Sequence, residues 1–184
     1  MTAPAAAPAA LTPVGIGLAN LMTAVLDALT ANLLSTVGGP VGRAVMAPGD
    51  TVPADACCAE APGAVEGQAH VRLARTFPTT RFPFPDTAWS KVPSNLGVEL
   101  EVGVYRCVSG LDAEGKPPTA GAVSADAVRA VDDLGALRRT ALETFPGAPV
   151  ALGSSSVLGP SGYCAGTVLS FTIMFNPACP PGIV

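Results

Sequence analysis

The run Val98-Glu-Leu-Glu-Val-Gly-Val-Tyr105 constrains this chain more than any other feature. Val98, Leu100, Val102 and Val104 fall on one side of an extended backbone, and Glu99, Glu101, Gly103 and Tyr105 on the other. Strand side chains alternate with period two, so the run packs one face and leaves the other wet. A helix would scatter the same valines around its circumference. Two more segments share the pattern. From Gln68 to Thr76, Ala69, Val71 and Leu73 oppose Gln68, His70 and Arg72; from Tyr163 to Phe175, Leu169, Phe171, Ile173 and Phe175 share a face. Arg43 to Ala47 reads as a further short strand.

Two helices complete the pattern. From Ile16 to Ser35, Leu18, Leu21, Met22, Val25, Leu29 and Leu33 form a stripe at helical spacing, with Asn20, Thr23 and Asp27 facing away. The polar interruptions and the closing Gly38-Gly39-Pro40 argue against a membrane span. Ser124 is the expected N-cap of a second helix to about Thr144, with Asp126 in its first turn. Its apolar side is read as Val128, Val131, Leu134, Ala141, Leu142 and Phe145, with Arg138 near the middle of that stripe and Asp132-Asp133 on the solvated side. Residues 148–162 are expected to be loop. The order implies an α+β fold, a mainly antiparallel sheet with two amphipathic helices packed on one face. The expected domains are an Ala/Pro-rich lead at 1–13, one α+β domain at 14–176 and a tail at 177–184.

Composition narrows the function. Charged residues make up 13% of the chain, about half the usual share. Part of the surface is therefore expected to meet other protein. The formal net charge is −4 and the basic residues are dispersed, so no patch for phosphate backbones is expected. The start lacks the basic n-region of a secretory signal. The five cysteines (Cys57, Cys58, Cys107, Cys164, Cys179) are odd in number and without repeating spacing, which reads as reduced thiols in a cytoplasmic product.

Catalytic constellations are sparse. His70 is the single histidine and lies on the polar side of its strand, where a surface or interface position is expected; no neighbouring nucleophile or orienting acid accompanies it. Gly159-Pro-Ser-Gly-Tyr163 misses the nucleophile-elbow pattern at its last glycine and reads as a turn. Adjacent Cys57 and Cys58 are not expected to aim at one metal from an unstrained backbone, and no second cysteine pair or histidine cluster accompanies them, which disfavours zinc. The expectation is a chain without enzymatic activity, cofactor or metal. Two features stand out instead. The segment 77–86 packs three Phe and three Pro into ten residues, with Trp89 following; prolines at that density argue against a hydrogen-bonded ladder. Its rings fold onto their own core or onto another subunit. Phe77, Arg81, Phe82, Phe84, Trp89 and Arg138 are thus candidate subunit-interface residues. His70 and Arg72 on one strand, and Glu99 and Glu101 on the next, are candidate complementary charges for a ring's lumen or seam.

The run Gly67-Gln-Ala-His-Val-Arg-Leu-Ala-Arg-Thr-Phe-Pro-Thr-Thr-Arg-Phe-Pro-Phe-Pro-Asp86 resembles a segment of small proteins encoded near the head–tail junction genes of long-tailed actinobacterial phages. There a V-R-aliphatic run followed by aromatic-P-[ST]-T-x-F-P-x-x-D recurs, often soon after paired cysteines, here Cys57-Cys58 at a slightly longer spacing. The element order over residues 14–176 is similar to that of the tail terminator family of lambda-like phages. The resemblance implies a virion protein: a homohexameric ring at the head–tail junction, assembled in the host cytoplasm. Its partners would be further copies of itself, the major tail tube protein and the head-completion (stopper) protein, with DNA passing through the lumen unread and no membrane involved. The family brings no catalytic residues. A stopper or adaptor subunit is the alternative within the same class. Outside it stand a small cytoplasmic binding module using the Phe77–Trp89 loop, and a hydrolase around Ser161 or Cys164.

Overall fold

The structure is a computed structural model that describes residues 13–54, 57–58, 64–87 and 95–176. Trp89, Cys179, most of the 1–13 lead and the 177–184 tail lie outside the described residues. The elements run α1 (Pro13–Leu33), β1 (Arg43–Ala47), β2 (Gln68–Thr79), β3 (Asn95–Cys107), α2 (Ala120–Glu143), β4 (Val150–Ser161) and β5 (Cys164–Phe175).

They build one five-stranded sheet in the order β1-β2-β3-β5-β4. β1 runs parallel to β2, and every other pairing is antiparallel. The fold is α+β, as the periodicities imply. Both helices pack on the face carrying Val71, Val98, Leu100, Val102, Val104, Leu169, Phe171, Ile173 and Phe175. From α1 come Leu21, Val25, Leu29 and Leu33, the stripe that its 3.6-residue spacing marks out.

Four departures from the sequence reading have physical causes. The first is β4, a strand where loop was expected. Apart from Val157 and Leu158, residues 153–161 are Gly, Ser and Pro; all are exposed, and β5 templates them as an edge ribbon. Gly162, at φ +63°, and Tyr163 close this hairpin, so only the last two residues of the near-miss serine motif form the turn, and Gly159, Pro160 and Ser161 end β4. The second is that β2 continues through Pro78 to Thr79, paired with Asn95. Because β1 ends opposite Arg72, no further strand among the described residues pairs with that side of β2 beyond this point, and proline's missing N–H costs little there.

The third concerns α2, which begins at Ala120. Thr119 caps it by accepting a bond from Ala122 N (3.2 Å), five residues earlier than Ser124. It also turns a different face inward. Asp133, Ala136, Leu137, Thr140 and Ala141 are its buried residues, whereas Val128, Val131, Arg138 and Leu142 are exposed. The fourth is the cysteines. Four of them are joined, Cys57 to Cys164 and Cys58 to Cys107, in place of the expected reduced thiols. Cys57 and Cys58 do not point apart: their Sγ atoms are 3.5 Å from each other.

The bonded cysteines lay the segment after β1 across the second sheet face. Along this path Pro53 O accepts a bond from Gln68 Nε2 (2.9 Å), and Gly49 O accepts one from Arg72 Nη1 (3.4 Å).

Candidate functional site

The outer sheet face is a row of cross-strand pairs. Arg72 stands opposite Glu101 and grips it with two bonds, Nε to Oε1 at 2.7 Å and Nη2 to Oε2 at 2.9 Å. Arg75 pairs with Glu99 at 2.5 Å and lies over the Phe77 ring, 5.2 Å from its centroid. The four charges that β2 and β3 bring together are therefore Arg72, Arg75, Glu99 and Glu101. The bulge between Leu73 and Arg75 is what returns Arg75 to this face.

His70 is not a surface residue. It is fully buried, stacked on Tyr105 at 5.3 Å, with Gly103 opposite. Neither ring nitrogen has a hydrogen-bond partner, and the Glu101 carboxylate stands off at 3.8 Å from Nε2. Burial outweighs the attraction of Glu101, Arg72 opposes the charge further, and the imidazole is held at about 4, below its ordinary 6.5. It is thus neutral in the fold and takes a proton more readily when unfolded. Stability is complete above about pH 6.5 and falls as pH drops toward 4, by up to about 3 kcal/mol. Urea titrations between pH 7 and 4 are expected to show this slope, and His70→Gln is expected to flatten it.

The aromatic loop divides. Phe77 is buried in its own sheet, its ring lying against Gly97. Phe82 is half-buried, while Arg81 and Phe84 are exposed, Phe84 at 68%. A compact turn presents them: Thr79 Oγ1 donates to Phe84 O (2.7 Å), and Asp86 Oδ1 accepts from Thr80 N (2.9 Å) and Thr80 Oγ1 (2.8 Å).

The larger exposed feature lies on α2. Val128, Val131 and Leu142 are 57%, 67% and 53% exposed, and Arg138 follows the same stripe. At 100° per residue these positions lie roughly opposite Asp133 and Ala136. Val128 and Val131, with Ala127, Asp132 and Val37 beyond α1, line an open groove of about 470 Å³. Of the apolar side expected for α2, Ala141 is buried and Phe145 packs against the core, while Val128, Val131 and Leu142 face solvent.

Beneath α2 lies a group that the sequence reading placed on the wet side. Asp133 is buried and receives Arg106 through two bonds of 3.0 Å, from Nε and Nη2. Arg106 also donates to Pro40 O (3.0 Å) and Gly39 O (2.8 Å) in the turn after α1. Arg106 continues the even-numbered core face of β3, so its inward position was readable from the alternation. Its partner was not.

Among the described residues, no nucleophile is hydrogen-bonded to the single histidine. Ser161 is exposed at the end of β4, and Cys164 is disulfide-bonded. Among the described residues no helix is long and apolar enough to cross a membrane. The described residues define a two-layer α+β chain whose prominent surface feature is an apolar helix face.

No family model and no curated sequence matches the chain. Among solved structures, it is similar to the sheath/tube terminator of an extracellular contractile injection system (PVC), determined by cryo-EM in the extended state, with a TM-score of 0.36 and 12% identity. The match covers 84% of this chain and 57% of that one, so the chain spans little more than half of its length.

Proposed function

We propose that this chain is a non-enzymatic assembly subunit, a tail-terminator-like protein that forms a homohexameric ring capping the head-proximal end of a phage tail tube. The observation that carries this reading is the outward apolar stripe of α2. Val128, Val131 and Leu142 are exposed on the same helix that buries Asp133, Ala136, Leu137, Thr140 and Ala141 against its own sheet. Exposed aliphatics grouped on one surface, as Val128 and Val131 are around the groove with Val37, mark protein–protein contact. The stripe serves as one half of a heterologous contact between neighbours, the type that closes into rings. Arg138 sits within it as a polar anchor, and Arg81 and Phe84 extend from a separate turn toward the tube or the head-completion protein. The low charge content of the whole chain fits a subunit with much of its surface covered. Its net negative charge suits a lumen through which DNA slides without adhering.

Native mass spectrometry and light scattering test the reading. The unsubstituted chain is expected to give a closed ring at micromolar concentration. Val128→Glu with Val131→Glu is expected to leave a folded monomer, because both side chains are exposed in the subunit. A chain that stays monomeric at high concentration, with or without tail tube protein, overturns the reading.

A further inference from the structure

Four sulfurs meet where the loop after β1 lands on the sheet. Cys107 and Cys164 are cross-strand partners at the adjoining ends of β3 and β5. Cys57 and Cys58 bring two more sulfurs onto them from the loop. The Sγ atoms of Cys57, Cys58 and Cys164 all lie within 4.8 Å of one another, and Cys107 completes the group through its bond to Cys58. A closed tetrathiolate with metal–sulfur bonds of about 2.3 Å places its sulfurs about 3.8 Å apart. The cluster brackets that spacing, and the convergence of the adjacent Cys57 and Cys58 removes the geometric objection to paired ligands. Two ligands are fixed by sheet register and two ride on a strap. Cys57 is buried while the other three are half-buried, which leaves an approach for an ion.

We propose that in the reduced chain Cys57, Cys58, Cys107 and Cys164 bind one thiophilic divalent cation of the zinc class as a structural site. A thiol reductant opens the two disulfides, each consuming two reductant thiols and releasing one small-molecule disulfide, and leaves four protein thiols. Metal binding then expels four protons and forms four metal–sulfur bonds, with the metal's oxidation state unchanged. An all-sulfur donor set selects soft or borderline cations over magnesium or calcium. With all four positions filled by protein, the site has no opening for catalysis. Its effect is to clasp the loop over the buried Gln68–His70–Tyr105 layer where disulfides do not persist. Metal and disulfides are alternative fasteners at one point. The proposal rests on cysteine geometry alone, so its failure would leave the ring reading standing, and assembly is scored separately.

The test uses the full chain with Cys179→Ser, reduced and handled without oxygen, and zinc alone as the probe. Elemental analysis is expected to give one zinc per chain, with the remaining four thiols shielded from a thiol reagent until a chelator is added. X-ray absorption at the zinc edge is expected to count four sulfur neighbours. Cobalt in place of zinc is expected to show the visible bands of a tetrahedral thiolate site. A reduced chain that takes up no zinc, or a zinc shell dominated by nitrogen and oxygen, overturns the proposal. So does Cys57→Ser with Cys107→Ser retaining zinc at the same stoichiometry and affinity. If the reduced, metal-free chain unfolds, stoichiometric zinc is expected to restore its circular dichroism, and failure to do so counts equally against the site.

Discussion

Asp133→Ala is expected to cost about 3–5 kcal/mol of folding stability, the range for removing one partner of a buried ion pair. The Arg106 and Asp133 side chains are only 9% and 2% exposed, so the pair sits largely out of bulk water. The guanidinium would remain held by Gly39 O and Pro40 O, charged and without its counterion. Its position is tightly set: a Cβ on Gly38 would come within 2.8 Å of the Arg106 guanidinium, so even the turn that follows α1 is shaped around it. The pair thus joins three elements, β3, α2 and the end of α1. Denaturant melts of Asp133→Ala, Arg106→Met and the double variant check this. The double variant is expected to be more stable than either single one, because it leaves no unpaired buried charge. Three losses that simply add would refute the pairing as the source of the cost.

The fold was legible wherever a single face of an element decides its place. The alternations at 98–105 and 163–175 located β3 and β5 because large apolar residues recur at every second position on one face of each. The α1 stripe worked for the same reason. On α2 that rule held only for Ala141 and for Phe145 just beyond the helix. The helix packs on the sheet through Ala136, Leu137, Thr140 and Ala141 and is fastened by Asp133, while Val128, Val131 and Leu142 face outward. Periodicity identifies a stripe but does not say whether its partner belongs to the same chain. For an assembly subunit that ambiguity is intrinsic, since an interface helix carries two packed faces.

The candidate site was less legible. Complementary charge between β2 and β3 could be read from alternation, but the bulge could not, and it is the bulge that makes Arg75 a partner of Glu99. The burial of His70 depends on a loop that crosses from the end of β1, and the fastening of that loop depends on cysteines 107 and 49 residues apart. No local pattern encodes contacts at those separations.

Gly103→Val is expected to be the other severe substitution, with a loss of at least about 3 kcal/mol, at the upper end of what overpacking a filled interior costs. Gly103 stands opposite His70 on β2 and Val168 on β5. A Cβ there would overlap the His70 ring, come within 2.7 Å of its Nε2, and lie 2.8 Å from Val168 Cγ1. The histidine cannot swing aside, because it is fully buried and stacked on Tyr105. The added methyls therefore have to displace β2 or the loop that crosses it. This mechanism makes a specific demand on the double variant. Gly103→Ala with His70→Ala frees the space the new Cβ needs, so the pair is expected to lose less than its two single losses combined. Thermal melts of the four chains measure that coupling. Strict additivity would mean that the imidazole is not what fills the space above Gly103, and that the neutral, buried His70 on which the acid-sensitivity argument depends is misplaced.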